Sequence, residues 1–282
     1  MTTLPQHKSS EYLESGIILR RISSPSGKPV PVTYAHQDDY YIFGLIESGT
    51  GCGFIDFKER HFRAGDIILI QPWQVHRFIS SENADGWLLI TDGSLIGNTE
   101  KYILDNFALF ASSFPIDLQQ QTELAHLASM LKIRLDNITD QQTKTTVRRL
   151  AGTFVSIIAE AIQHLNLQNT SHSPRHIEIV LTFRSLIAEH LAVNRKPSHY
   201  ASLLNISTVY LNEIVRGVTG MSATSFIKNE TILRAKRLLA HTDLTVKEIA
   251  DSLGIDDHAY FSRLFAQTTG ISPTAFRRLE GV

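Results

Sequence analysis

Thr219-Gly220-Met221-Ser222-Ala223-Thr224-Ser225-Phe226 is answered, class for class, by Thr269-Gly270-Ile271-Ser272-Pro273-Thr274-Ala275-Phe276, 50 positions later. Working outward, Tyr210-Leu211 matches Tyr260-Phe261 at the same offset, Ile214 matches Leu264, and Val215 matches Phe265. The register then slips by one, so that Ala201 and Ile206 pair with Ala250 and Ile255. A self-similar unit of this size is one supersecondary motif used twice, and two copies are too few for a solenoid.

Each copy reads as a short apolar-periodic helix, a break, and a second helix. Thr245 followed by Glu248 is a capping-box signature. Gly254 is placed where a helix stop needs a left-handed residue, and Asp256 and Asp257 are N-cap candidates for the next helix. That helix is expected to bury Tyr260, Phe261, Leu264 and Phe265 and to expose His258, Ala259, Ser262, Arg263 and Ala266. In the first copy Ser207 caps a helix that buries Leu211, Ile214 and Val215 and exposes Thr208, Val209, Asn212, Glu213 and Arg216. Such pairs fit a helix-turn-helix, whose second helix offers its polar side to base edges in the major groove. Ordinary αα-hairpins share that geometry, but they give no reason for the exit motif to be repeated.

The runs Glu248-Ile249-Ala250-Asp251-Ser252-Leu253-Gly254, Tyr260-Phe261-Ser262-Arg263-Leu264-Phe265, Thr269-Gly270-Ile271-Ser272-Pro273 and Phe276-Arg277 together resemble the signature of the AraC/XylS family of bacterial transcription regulators. The resemblance covers about the last third of the chain. It departs at Ile255, where the family usually has Phe, at Ala259, usually Ser, and at Ala266, usually Lys; the last loses a phosphate contact. The resemblance implies double-stranded DNA as partner, with Thr208, Val209, Asn212, Glu213, Arg216, His258, Ala259, Ser262 and Arg263 at the interface. It also implies a homodimer, RNA polymerase as a further partner, and a small-molecule effector.

The 282-residue chain carries a formal charge of −1 and is 43% hydrophobic, an ordinary globular composition with room for two domains. The charge is unevenly spread. From His172 onward there are 13 Lys and Arg against 10 Asp and Glu, a net of +3, and before it 14 against 18, a net of −4. The basic half is the one with the repeat. Cys52 is the only cysteine, so no intrachain disulfide can form and a reducing compartment is expected. Met1 to Ser15 is polar and lacks a signal-peptide core, and no run approaches the roughly 20 apolar residues of a membrane span, so a cytoplasmic location without membrane contact is expected.

Residues 17–92 read as β structure: Tyr40 to Ile46, Gly53 to Phe57, Asp66 to Ile70 and Trp87 to Ile90 are short aromatic and β-branched runs. The turns between them are expected at Ser48 to Gly51, Ala64 to Asp66 and Asn83 to Gly86. Phe62 to Pro72 followed by Val75-His76-Arg77-Phe78 resembles the second conserved stretch of cupin jelly rolls. That resemblance raises a rival function, a cupin metalloenzyme with a helical accessory domain. The second stretch supplies His76, and the candidates near the first strand are only His36, Asp38 and Asp39, without a His-x-His pair, whereas a metal site needs three or four well-placed ligands. No metal and no cofactor are therefore expected. The barrel is read as an effector pocket involving His36, Tyr41, Phe43, Trp73 and His76.

From about 118 to 168 the period becomes helical, with stripes at Leu124, Leu127, Ala128, Leu131, Leu135 and Ile138 and at Val147, Leu150, Ala151, Phe154, Ile158, Ala161, Ile162 and Leu165. Packing on the barrel and a dimer interface are both open readings. Ala223 to His241 is a helix with an apolar stripe at Ile232, Ala235, Leu238 and Leu239. The expected fold class is α+β multidomain. A cupin-like β jelly roll with a helical pair near 118–168 occupies 1–168, a linker 169–174, and an all-α domain with two helix-turn-helix motifs 175–282.

Overall fold

The computed structural model describes residues 6–7, 16–22, 34–108, 111–169 and 173–280. The chain divides into two compact units, Pro5–Thr170 and Ser171–Val282. Of the expected linker, residues 170–172 lie outside the described residues.

The first unit is built on β1 (Gln6–His7), β2 (Ile17–Arg21), β3 (Gln37–Asp38), β4 (Tyr41–Ile55), β5 (Lys58–Arg63), β6 (Asp66–Ile70), β7 (His76–Thr91) and β8 (Ser113–Pro115). Six of these form one antiparallel sheet in the order β2-β7-β4-β6-β8, with β5 paired to β4, while β1 and β3 form a small parallel pair. Helices α1 (Asn98–Phe107), α2 (Leu118–Leu135) and α3 (Gln141–Asn169) complete it. Asp117 caps α2 with a full capping box through Gln120.

The strands are near-continuously apolar because both faces of the sheet carry apolar side chains, one against the helices and one around a cavity. Ile17, Leu19, Tyr41, Phe43, Leu45, Ile67, Leu69, Trp87 and Leu89 share one core with Leu124, Leu131, Phe154 and Ile158 of the helices. Their neighbours in sequence, Ile18, Ile42, Ile70, Leu88 and Ile90, gather on the opposite face around Tyr40.

Two of the expected turns are strand interior. β4 and β7 run through Ser48 to Gly51 and Asn83 to Gly86, and register shifts fall between Ile46 and Ser48 and between Ser48 and Thr50. Gly49 sits at φ +72°, and a Cβ there would lie 2.2 Å from the Asn83 carbonyl oxygen. The glycine therefore marks a bulge where two long strands close on each other. The real hairpin turn between β4 and β5 uses Asp56 and Phe57, both at positive φ.

The second unit is all helical: α4 (Pro174–His190), α5 (Pro197–Leu203), α6 (Thr208–Thr219), α7 (Ala223–His241), α8 (Val246–Ser252), α9 (His258–Thr269) and α10 (Pro273–Glu280). The repeat seen in sequence is a repeat of hydrogen bonds. Ile206 N–H donates to Ala201 O at 3.0 Å, and Ile255 N–H donates to Ala250 O at 2.8 Å, each closing the turn between two helices. The left-handed residue of that turn is Asn205 in one copy and Gly254 in the other. At the exit, the Thr219 hydroxyl donates to Val215 O (2.6 Å) and the Thr269 hydroxyl to Phe265 O (2.9 Å), just ahead of the left-handed stops Gly220 and Gly270. Ser222 and Ser272 then cap the following helix, accepting from Ser225 N–H (3.1 Å) and Ala275 N–H (3.2 Å).

The two kinds of left-handed glycine separate experimentally. A Cβ at Gly254 would lie 1.9 Å from Ala192 O, whereas at Gly220 it meets nothing within 4 Å. Gly220→Ala bears only the conformational cost of about 1–2 kcal/mol. Gly254→Ala adds a backbone clash, so its urea midpoint in the intact protein falls clearly below that of Gly220→Ala; equal midpoints contradict this packing.

Candidate nucleic-acid interface and ligand cavity

In α6, Ser207 accepts from Tyr210 N–H at 3.1 Å, and Leu211, Ile214, Val215 and Val218 are buried. The opposite side leaves Thr208, Val209, Glu213 and Arg216 exposed, Val209 at 69%. In α9, Asp257 accepts from Tyr260 N–H at 2.8 Å, Phe261 and Phe265 are buried, and Ala259 and Arg263 are exposed, with His258 and Ser262 half-buried. Two helices of 12 residues each thus show a polar face beside a buried one.

Three placements differ from the sequence reading. Tyr260, expected in the core, is 47% exposed. Its counterpart Tyr210 is half-buried and packs edge-on against His176 of α4, ring centroids 6.3 Å apart, and α4 precedes the repeat. An exposed aromatic therefore stands next to Ala259 on α9. Leu264 is half-buried. Asn212 is half-buried too, and its Oδ1 accepts from the Ala223 N–H at 3.0 Å. That amide is one of the orphan donors at the start of α7. At the matching point of the second copy stands Pro273, which has no N–H to satisfy, and residue 262 is Ser where Asn212 was. A bidentate pair with adenine uses the Asn oxygen together with the amide NH2 beside it; here the oxygen is already engaged in holding α7.

His258 Nε2 lies 2.8 Å from Asp251 Oδ1, tying α9 to α8. Arg263 is 3.8 Å from Asp257, with both side chains mostly exposed, a contact too weak to hold the guanidinium away from another partner.

In the sheet-rich unit the cavity opens on the face away from the helices. It has a volume of about 480 Å³, and its wall includes Ile18, Tyr40, Ile42, Phe54, Leu88 and Ile90 together with Arg20, Arg60 and Arg77. The Arg77 guanidinium stacks 4.8 Å over Phe54. The Arg60 Nε is buried and has no hydrogen-bond partner among the described residues.

Of the five pocket residues expected from sequence, His36 and His76 line this cavity. Tyr41 and Phe43 do not; they belong to the core on the helix side, because the strand period of two sends them opposite to Tyr40 and Ile42. The Tyr41 hydroxyl is used there, donating to Asp105 Oδ1 at 2.9 Å, and burial together with that carboxylate raises its pKa. Trp73, at φ +65°, is 49% exposed and sits in a loop outside the cavity wall. Asp38, named in the sequence reading as a candidate metal ligand and not as a pocket residue, is also in the wall.

Comparison with known proteins adds a family to this geometry. An AraC-like ligand binding domain matches residues 27–154, and a helix-turn-helix domain matches 200–279. The arabinose operon regulatory protein of Escherichia coli (strain K12) is 35% identical over 243 residues, 84% of this chain and 80% of that protein. The Msm operon regulatory protein of Streptococcus mutans is 26% identical over 241 residues, 85% of this chain and 84% of that protein. The chain belongs to the AraC family of transcription regulators. It is a DNA-binding regulator and not an enzyme, and the cupin metalloenzyme alternative finds no support among these relatives. No described helix is long and apolar enough to cross a membrane.

Arg263 and Asn212 are thereby expected to behave differently. Arg263→Ala relaxes preference at one base pair by about 1–3 kcal/mol, the range of a bidentate guanine contact. Asn212→Ala lowers stability by about 1 kcal/mol through the lost bond to Ala223 and leaves the ranking of DNA sequences unchanged. Competition binding against single-base variants of a selected site, with a denaturation curve for each protein, checks both.

Proposed function

We propose that this regulator binds its operator as a homodimer, that each chain reads two successive major-groove faces through α6 and α9, and that a small organic effector in the cavity of the sheet-rich unit modulates the binding. Residues 175–282 act as the DNA-binding domain, 1–168 as sensor and dimerisation domain, and 169–174 as the linker. The protein works in the cytoplasm at promoters, with RNA polymerase as its downstream partner.

The observation that carries the DNA half is the repeated cap, helix and left-handed stop, which present Thr208, Val209, Glu213 and Arg216 on one helix and Ala259 and Arg263 on the other in the same orientation relative to their buried faces. The effector half is supported by an apolar cavity of about 480 Å³ with a few convergent polar groups. Its three arginines, one with an unsatisfied Nε, suit an effector with an acidic or strongly accepting group. Effector binding then acts on DNA affinity as a coupling free energy between separate sites. The dimer is supported by α2, which buries Leu124, Ala128 and Leu131 and leaves Met130 at 53% and Ile133 at 64% exposed on its other side.

Selection of bound sequences from a random DNA pool is expected to return a bipartite site, with affinity falling steeply as salt rises because phosphate contacts release counterions. The double substitution Met130→Glu and Ile133→Glu is expected to halve the sedimenting mass at low micromolar protein and to weaken binding to the full operator. Salt-insensitive binding, or an unchanged mass for the double variant, counts against the proposal.

A further inference from the structure

The cavity wall contains three chemically matched side chains that effector binding alone leaves unexplained. His36 and Asp38 are two apart on an extended segment and so share a face. His36 and His76 face each other across an isolated antiparallel bridge, with His36 N–H donating to His76 O (3.1 Å) and His76 N–H to His36 O (2.9 Å). All three are buried, at 4%, 2% and 8% exposure.

The ring nitrogens are oriented. His36 Nδ1 lies 2.9 Å from Tyr34 O, and His76 Nδ1 lies 3.0 Å from Gln74 O. A carbonyl oxygen can only accept, so each Nδ1 carries a proton, and Nε2 is the ring atom left to bind a ligand. Both Nε2 atoms approach one carboxylate oxygen: His36 Nε2 is 3.6 Å and His76 Nε2 3.3 Å from Asp38 Oδ2. A direct charge-assisted bond from an imidazolium would be about 2.7–2.9 Å. A tetrahedral ion with bonds of about 2.0–2.1 Å instead holds its ligand atoms about 3.3–3.4 Å apart. The observed separations fit the second figure, and the three ligand atoms all lie within 4.8 Å of one another.

The supporting groups are those a metal site uses. A histidine ligand donates its other nitrogen to a carbonyl, as both do here, and a carboxylate ligand is itself hydrogen-bonded. Tyr40, two positions beyond Asp38 in the chain, lines the same wall.

We propose that His36, Asp38 and His76 form a binding site for one divalent transition-metal ion of the zinc, cobalt or iron(II) type. Two imidazoles and one carboxylate suit these ions better than magnesium or calcium, which prefer an all-oxygen shell. Three protein ligands leave at least one coordination position, which opens to the cavity and takes water or an oxygen of the effector; this last role rests on the effector reading above, while the ion itself does not. The sequence reading expected no metal, because it sought a His-x-His pair and found only His36-x-Asp38.

The test uses full-length, untagged protein, stripped with chelator and titrated with Co(II) and separately with Zn(II). The expected result is one equivalent per chain retained through desalting, with the visible absorption of nitrogen- and oxygen-ligated Co(II). The near-isosteric variants His76→Gln and Asp38→Asn are each expected to weaken binding at least tenfold. Cys52→Ser keeps the full equivalent, which separates this site from the group of half-buried Cys52 with exposed Glu59 and His61. No retained equivalent in the wild type, one that survives both His76→Gln and Asp38→Asn, or one lost with Cys52→Ser overturns the proposal. Failure here leaves the effector reading standing, because that is scored by the effect of candidate organic ligands on DNA affinity of the metal-free protein.

Discussion

The helical unit depends on the burial of one helix by both of its motifs. α7 packs against α5 and α6 on one side of the sequence and against α8, α9 and α10 on the other. It buries Phe226, Ile227, Ile232, Ala235, Leu239 and Ala240, and Thr231 as well, whose hydroxyl donates back to Ile227 O at 2.7 Å. Burying so many side chains at about 25 cal/mol per Å² outweighs the modest helix propensity of a segment with Thr224, Ser225 and Thr231 in it. Both ends are fixed by side chains from the motifs. Asn212 of α6 satisfies the Ala223 N–H at the start. Near the other end, Arg277 of α10 donates from Nε to Leu239 O (3.1 Å) and from its Nη2 to Leu244 O. Neither α6 nor α9 can tilt freely without breaking a contact to α7, and that is how a shared core becomes a fixed presentation of two polar faces.

In the sheet-rich unit the governing constraint is the phase of a period of two. Tyr40 and Ile42 face the cavity, and Tyr41, Phe43 and Leu45 face the helices. Both sets are apolar, so the sequence carries no polar residue to mark which side is which. The same two-sidedness explains how the unit has a core and a cavity from the same strands: α2 and α3 cover one face, and the other stays open around Arg20, Arg60, Arg77 and the His36, Asp38 and His76 group.

These two units differ in how much of them was legible beforehand. The repeat could be read because each of its residues acts locally. Thr bridges the last turn, Gly takes a left-handed conformation, and Ser caps the next helix. Such roles depend on neighbours within a few positions. The Tyr260 and Asn212 placements were missed because each turns on a partner in another helix: α4 packs beside Tyr210, and Asn212 satisfies the N–H of Ala223, which the second copy replaces with Pro273. Only two of the five expected cavity residues line it, His36 and His76, while Tyr41, Phe43 and Trp73 do not. Phase is set by pairing between β4, β6 and β7, which the sequence of any one strand leaves open. The residues His36, Asp38 and His76 were legible as candidate ligands but were set aside for want of a His-x-His pair, because the bridge that brings the two rings together joins residues far apart in the chain.

The central claim is that α7, at 19 residues and so about 28 Å long, holds two recognition helices as one rigid reader near the ~34 Å repeat of the major groove. The most direct test measures affinity for a selected operator and for versions with 5 or 10 bp inserted between the two half-sites of one chain. A rigid reader loses both: the affinity falls to that of a single half-site with 5 bp, where the second site turns to the far face, and does not recover with 10 bp, where the face is restored but the distance is not. Unchanged affinity with 5 bp, or full recovery with 10 bp, would mean that the motifs are flexibly tethered and that α7 is not the spacer described.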